Sequence, residues 1–434
     1  MRFTAVRTPL KPALIAAVAC GALIAATVQT SAAVPVPAAE IPAGTPDVLL
    51  TDQASKRVLL LDGGRRAWDP DADPAVVKWA FSPVGDARYA DLEPEASWVH
   101  PSEAKVRRWR GRTYVLTVAS FGFAAVVAYP SGARYWGAAL SPGTIRHNPH
   151  SIELLPDGNV AVAGSTGGVV RLYAASRGRA GVPYVDHPLK DAHGLHWDAG
   201  RRVLWALGGD RLVALRVGGT AARPALREVA GARLPDPHGH DLGPVAGDPD
   251  RLWVSSGSAV HQYEKSTGTF RRDFPGAAGI SRARVKAVGD DPVTGQVIST
   301  VPERGLGETW WTRTVAVHRP AGRYRLAGGG IYKARWWTAW CDRWGGPGGR
   351  GGPGGGGRSG GPGGAVGSAG SVGSVGSGGL RGPGTPAVAV VSGGAFASGA
   401  AEVSRAAGAS GGAGVADVPG AGGADGAAGW WCRP

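Results

Sequence analysis

Three histidines recur along the chain at nearly regular distance: His150, His193 and His240, each opening a short run of apolar residues. Each has a polar companion close by, Glu153 for the first, His196 for the second and Asp241 for the third. At matching places before and after them stand Glu103 with Lys105, and Arg284 with Lys286. Imidazoles brought together can hold a divalent metal or move protons near neutral pH. Cationic neighbours such as Lys105, Arg284 and Lys286 would instead hold a carboxylate or sulfate, and they oppose a bare metal ion unless Glu103, Glu153 and Asp241 offset them. A third use is purely structural, because repeated polar residues also tie neighbouring elements together by hydrogen bonds. The expected ligand-binding set is Glu103, Lys105, His150, Glu153, His193, His240, Asp241 and Lys286.

Residues so far apart in sequence meet only if similar modules are arranged around a common centre. Between Asp47 and Trp337 helical periodicity is nearly absent, and short runs rich in Val, Leu, Tyr and Trp alternate with Gly, Pro and Asp. Asp47-Val48-Leu49-Leu50-Thr51-Asp52 and Arg57-Val58-Leu59-Leu60-Leu61-Asp62 read as one hairpin. Ser151–Leu155, Asn159–Ala163 and Gly168–Tyr173 read as three consecutive strands around the turn Pro156-Asp157-Gly158. Copies follow from Gly194, with a turn at Asp198-Ala199-Gly200, and from Asp241, with a turn at Asp248-Pro249-Asp250. Units start near Asp47, Glu103, His150, His193, His240 and Arg284, about 45 residues apart, the period of four-stranded propeller blades. The expected fold is therefore all-β, a six-bladed β-propeller, in which the first strand of each blade lines a central channel. A pair of β-sandwiches is the competing architecture. Trp205 and Trp253 occupy matching places and suit packing between blades, and Ile331–Trp337 is placed to pair with the first blade and close the ring.

The ends of the chain differ in kind from this body. Arg2, Arg7 and Lys11 precede an apolar run from Ala13 to Val28 that closes on Ser31-Ala32-Ala33, the pattern of a secretory signal. An uncleaved anchor and lipidation at Cys20 are the alternatives, and the separated arginines do not indicate the twin-arginine route. From Arg343 on, 92 residues contain 34 Gly, with Ala, Ser and Pro filling most of the rest. Such a tail cannot bury enough surface to offset its backbone entropy and is expected to be disordered. It reads either as a flexible extension ending in Trp430-Trp431-Cys432 or as out-of-frame translation of GC-rich DNA. Residues 1–33 are thus assigned to the signal, 34–46 to a linker, 47–342 to the propeller and 343–434 to the tail.

The chain of 434 residues has 47 Lys and Arg against 33 Asp and Glu, a formal charge of +14, and the body keeps about +8 of it. No nucleic-acid motif accompanies that charge, so polyanionic glycan or cell-wall surfaces are the expected partners, alongside arginine bias in the genome as a neutral explanation. Three cysteines exclude a disulfide-dense scaffold and paired zinc spacings; pairing of Cys341 with Cys432 is not decided by sequence. Nucleophile elbows, phosphate-binding loops and HExxH are absent where their context would support them.

The segments His100-Pro101-Ser102-Glu103-Ala104-Lys105-Val106-Arg107, Pro149 to Val160, Ala192-His193-Gly194-Leu195 and Ile331 to Trp337 resemble a family of exported bacterial proteins of unknown function. That resemblance implies a propeller and export, and no activity. The run His150-Ser151-Ile152-Glu153-Leu154-Leu155-Pro156-Asp157-Gly158-Asn159 is also distantly similar to a motif of arylsulfate sulfotransferases, six-bladed propellers with histidines near the axis, although Ser151 stands where they have Asp. On that analogy His240 would carry sulfate and Arg284 would bind its oxygens. The expected protein is a secreted, extracellular monomer without a stable membrane anchor or a nucleic-acid partner. It binds an anionic or carbohydrate ligand at the channel mouth, with an enzyme using the same histidines as the alternative. No cofactor is assigned. Core packing is the expected role of Trp98 and Trp109, with stacking on a sugar at that mouth as the alternative for either.

Overall fold

The structure, a computed structural model, describes residues 41–338. The expected signal, its alternatives, the tail, and Cys20, Cys341 and Cys432 lie outside the described residues.

Six antiparallel sheets stand around one axis. The second blade runs outward through Pro101–Trp109, Arg112–Ala119, Phe123–Ala128 and Ala133–Ala139, and the third through Pro149–Leu154, Val160–Gly164, Val169–Tyr173 and Tyr184–Pro188. The fourth starts at Gly194–Asp198, the fifth at Asp241–Val245 and the sixth at Ala287–Asp290, each followed outward by three more strands in chain order. Nearly continuous apolar runs on the inner strands, such as Val160–Gly164 and Val203–Leu207, leave both faces of each sheet hydrophobic, so each blade must be covered on both sides. Six buried clusters do this, one in each gap between neighbouring blades. Trp205 packs on Tyr263 across the fourth gap at 5.5 Å between ring centres, and Trp253 reaches blade six, donating from Nε1 to Asp290 Oδ1 at 2.8 Å.

The first blade departs from the expected order. Val48–Asp52, expected at the axis, is its second strand; the axial place is taken by Ile331–Trp336, which pairs antiparallel with it, Val48 opposite Trp336 and Leu49 opposite Arg335. The reason is closure. A ring made from one chain needs its last strand to join its first sheet, and here the joining strand is the innermost. A smaller correction concerns Asp248-Pro249-Asp250. These residues belong to the strand Asp248–Ser255, and the turn lies one step earlier at Ala246-Gly247, where Gly247 has a φ of 76° that suits glycine. The sixth sheet gains a fifth strand, Ala67–Trp68, parallel to Gly322–Leu326. Among the described residues no helix is long and apolar enough to cross a membrane.

Candidate functional site

The six inner strands deliver equivalent positions to the axis, and the backbone shows the equivalence directly. His193, His240 and Lys286 each donate their backbone N–H to the next strand at 2.8 Å, to Leu207, Ser255 and Thr300 respectively. Two residues before the mouth position of five blades the chain takes a left-handed turn: His100 (φ 56°), Asn148 (46°), Asp191 (54°), His238 (66°) and Arg284 (63°). That conformation costs a residue with a β-carbon about 1–2 kcal/mol. Its repetition around one opening is the kind of stored strain that gathers at functional sites.

The mouth layer consists of His150, His193, His240, Lys286 and Tyr332. The imidazole of His193 lies 4.3 Å from that of His150 and 4.7 Å from that of His240, centre to centre, tilted by 34° and 39°. Among the described residues no group of three or more His, Cys, Asp or Glu is arranged to hold a metal ion. Tyr332 Oη lies 2.8 Å from His240 Nε2 and 3.2 Å from His150 Nδ1. His193 Nδ1 lies 2.9 Å from the Asp191 carbonyl oxygen, which can only accept, so that nitrogen carries a proton, and 3.2 Å from the Asp191 carboxylate Oδ1. Burial, with the cations and imidazoles nearby, holds His150 and His240 well below the ordinary histidine range, and burial lifts the Tyr332 hydroxyl well above that of free tyrosine. At neutral pH His150, His240 and Tyr332 are therefore uncharged. Burial, helped by Arg284 and Lys333, lowers the Lys286 ammonium to about 8.

One step deeper the channel is plugged by charge. Arg335 donates to both carboxylates of a pair that reaches it from opposite blades: Nε and Nη2 to Glu103 at 3.2 and 3.0 Å, Nη1 to Asp241 at 2.7 Å and Nη2 to Asp241 as well. Lys333 Nζ sits 3.3 Å from Glu103, from Asp241 and from the His150 carbonyl. Lys105 donates to Ser151 Oγ (2.9 Å) and to the Leu195 carbonyl (2.6 Å), and Arg107 grips Glu153 through two bonds of 2.7 Å. Burial works against ionisation of Glu103, Glu153 and Asp241, but the facing cations outweigh it and hold all three below their ordinary range. Burial likewise lowers Lys105 to about 8.

The expected set thus divides into two layers. His150, His193, His240 and Lys286 meet at the mouth, whereas Glu103, Lys105, Glu153 and Asp241 form the ion-paired layer beneath it. His196 lies beyond, at a small opposite opening of about 60 Å³ beside Arg107 and Arg335; burial lowers it to about 3. Arg284 is exposed and donates from Nη2 to the Thr309 carbonyl at 2.9 Å, and His238 is exposed next to it in the ring of left-handed turns. Trp98 and Trp109 are not at the mouth: both are core residues, 1% and 8% exposed, with indole N–H groups bonded to the Lys56 and Pro156 carbonyls.

A cavity of about 280 Å³ opens above His150, Lys286 and Tyr332. Its far wall is aromatic, built from His100, Phe121 and Trp310; His100 belongs to the repeated left-handed turns, whereas Phe121 and Trp310 stand at no repeat position. Tyr332, Lys333 and Arg335 were also beyond the expected set. The sequence did flag their strand as the one closing the ring, and placing that strand at the axis is what would have identified them.

The profile of a family of unknown function (DUF6528) matches residues 25–341. No curated protein matches the chain. Among solved structures, a protein of unknown function from Bacteroides caccae is 10% identical, aligning 67% of this chain with 98% of that one at a TM-score of 0.44. Virginiamycin B lyase from Staphylococcus aureus is 10% identical over 52% of this chain and 70% of that one, with a TM-score of 0.34. The dihydro-heme d1 dehydrogenase NirN is 14% identical over 67% and 53%, with a TM-score of 0.35. Likenesses this distant say nothing of activity.

Proposed function

The chain belongs to this family of unknown function, which brings no activity with it, and we propose from its own residues that the channel mouth binds a small anion. The observation that carries this is Lys286. Its side chain lines the cavity beside His150 and Tyr332, yet it makes no side-chain hydrogen bond or ion pair among the described residues. Asp191 acts on it only at longer range. A half-buried ammonium that faces the cavity without an ion-pair partner is placed to take a carboxylate or sulfate from solution in a charge-assisted hydrogen bond. Every other cation at the axis is already matched: Lys333 and Arg335 by Glu103 and Asp241, Arg107 and Lys105 by Glu153 and nearby oxygens. In this reading His150, His193, His240 and Lys286 contact the ligand, and Glu103, Lys105, Glu153 and Asp241 hold the layer that supports them. Export through the expected leader would present the mouth to extracellular and cell-wall anions. Calorimetric titration with sulfate tests this: Lys286→Met should weaken binding at least tenfold with the fold retained, and equal affinity in the variant would refute it.

One observation favours a second reading as an enzyme. Tyr332 has a single hydroxyl proton and two imidazole neighbours, so it donates to one and accepts from the other, making a path for a proton across the mouth. A sulfotransferase, lyase or hydrolase would use that path. For the sulfotransferase analogy His240 Nε2 would have to leave Tyr332 before accepting sulfate, and Arg284 would have to release the Thr309 carbonyl. Turnover of 4-nitrophenyl sulfate that disappears in His240→Ala would support this reading, and the absence of turnover in the unaltered protein would remove the sulfotransferase from it.

A further inference from the structure

We infer that the anion taken at this mouth is a sugar acid, a hydroxylated ring bearing a carboxylate; this rests on the anion reading above. Three observations point beyond a bare anion. The first is the wall facing Lys286, where Trp310 and Phe121 are each half-buried and Ile145 at the rim is 54% exposed. A small inorganic ion would leave that surface wet, whereas the C–H face of a sugar ring would cover it.

The second is that the wall is held in place before any ligand arrives. Gln53 Oε1 accepts from Trp310 Nε1 at 2.9 Å and from Trp311 Nε1 at 2.6 Å, while Gln53 Nε2 donates to the Pro101 carbonyl at 3.1 Å. His100 stands edge-on between Phe121 and Trp310, 5.7 Å from each. The loop carrying Trp310 is tied down again where Arg284 bonds Thr309. Gln53 is thus a positioning residue, and a wall fixed in this way loses little freedom when a ring settles on it.

The third observation is an orphan acceptor. Asn148 lines the same cavity, and its Oδ1 is buried without a hydrogen-bond partner. A lone buried acceptor calls for a donor. A sugar hydroxyl supplies one; an aromatic acid has none to give. Lys286 for the carboxylate, Asn148 for a hydroxyl and Trp310 for the ring face together describe one ligand. The cavity, about 280 Å³, equals the share of roughly nine liquid waters at ~30 Å³ each, room for a single ring.

Acetate, benzoate and D-glucuronate share one carboxylate and differ only in what it is attached to, so their calorimetric affinities separate the possibilities. Glucuronate should bind at least tenfold more tightly than acetate and more tightly than benzoate. Trp310→Ala should bring glucuronate to within about threefold of acetate while leaving acetate unchanged. Asn148→Gly, which tolerates the left-handed backbone there without strain, should lower glucuronate affinity threefold to tenfold and spare both acetate and benzoate. If the three acids bind alike, or benzoate leads, the sugar inference is overturned while the anion reading stands. If none of them binds, or Lys286→Met changes nothing, both fall together.

Discussion

At the scale of the residue, the proposed anion site turns on Lys286, which has no ion-pair partner among the described residues. Because burial lowers Lys286 to about 8, the ammonium is present below that pH and lost above it. Anion affinity should be near its full value at pH 6.5–7.5 and fall as pH rises through 8 to 9.5, up to tenfold per unit once the neutral amine dominates. Lys286→Arg, which keeps its charge throughout, should flatten that profile, and a wild-type curve unchanged to pH 9.5 would remove Lys286 from the binding step. Tyr332 has a structural duty as well. Tyr332→Phe leaves His150 Nδ1 and His240 Nε2 without that partner and should cost about 1–3 kcal/mol in urea denaturation; an unchanged midpoint would show that the bridge contributes nothing.

The element that matters most is the inner strand Ile331–Trp336. Its Lys333 and Arg335 meet carboxylates from the second and fifth blades, so the strand is held from across the axis as well as by its own sheet. Arg335→Met would leave two buried carboxylates to share Lys333 and should destabilise the fold by about 3–5 kcal/mol. Replacing Arg335, Lys333, Glu103 and Asp241 together by apolar residues should recover part of that loss, since both cations leave together with the two carboxylates they face. A quadruple variant less stable than Arg335→Met alone would contradict this ordering. Here the limit of the sequence is plain. His150, His193, His240 and Lys286 could be brought together on paper because each opens a unit of the same length, and period alone places them on one rim. Lys333 and Arg335 escape that register because their strand comes last in the chain and enters the first blade from the end. Trp310 and Phe121 escape it for another reason: they stand on connections between strands, whose course depends on tertiary contacts such as the Gln53 bridge. Trp98 and Trp109, expected in the core with sugar stacking as the alternative, are held inside by apolar packing.

For the whole molecule, a ring of six blades turns residues far apart in sequence into one layer, and it also makes that layer sensitive to acid. His150 and His240 are neutral and buried, with folded pKa values well below the ordinary 6.5, so between those values the unfolded chain binds more protons than the folded one. Stability should therefore be full above about pH 6.5 and decline as pH falls, by at most about 1.4 kcal/mol per unit for each such histidine. Urea midpoints measured from pH 7.5 to 5 should drop accordingly, and a flat series would mean that the imidazoles titrate normally. The same ring geometry sets Lys286 at its mouth without an ion-pair partner among the described residues, where we propose that an anion binds. The most direct test of that is a crystal soaked in selenate, whose selenium marks the anion by its anomalous scattering. The expected result is a peak within hydrogen-bond distance of Lys286 Nζ, beside His150 and Tyr332; peaks confined to the outer surface, with solvent alone at the mouth, would contradict the account.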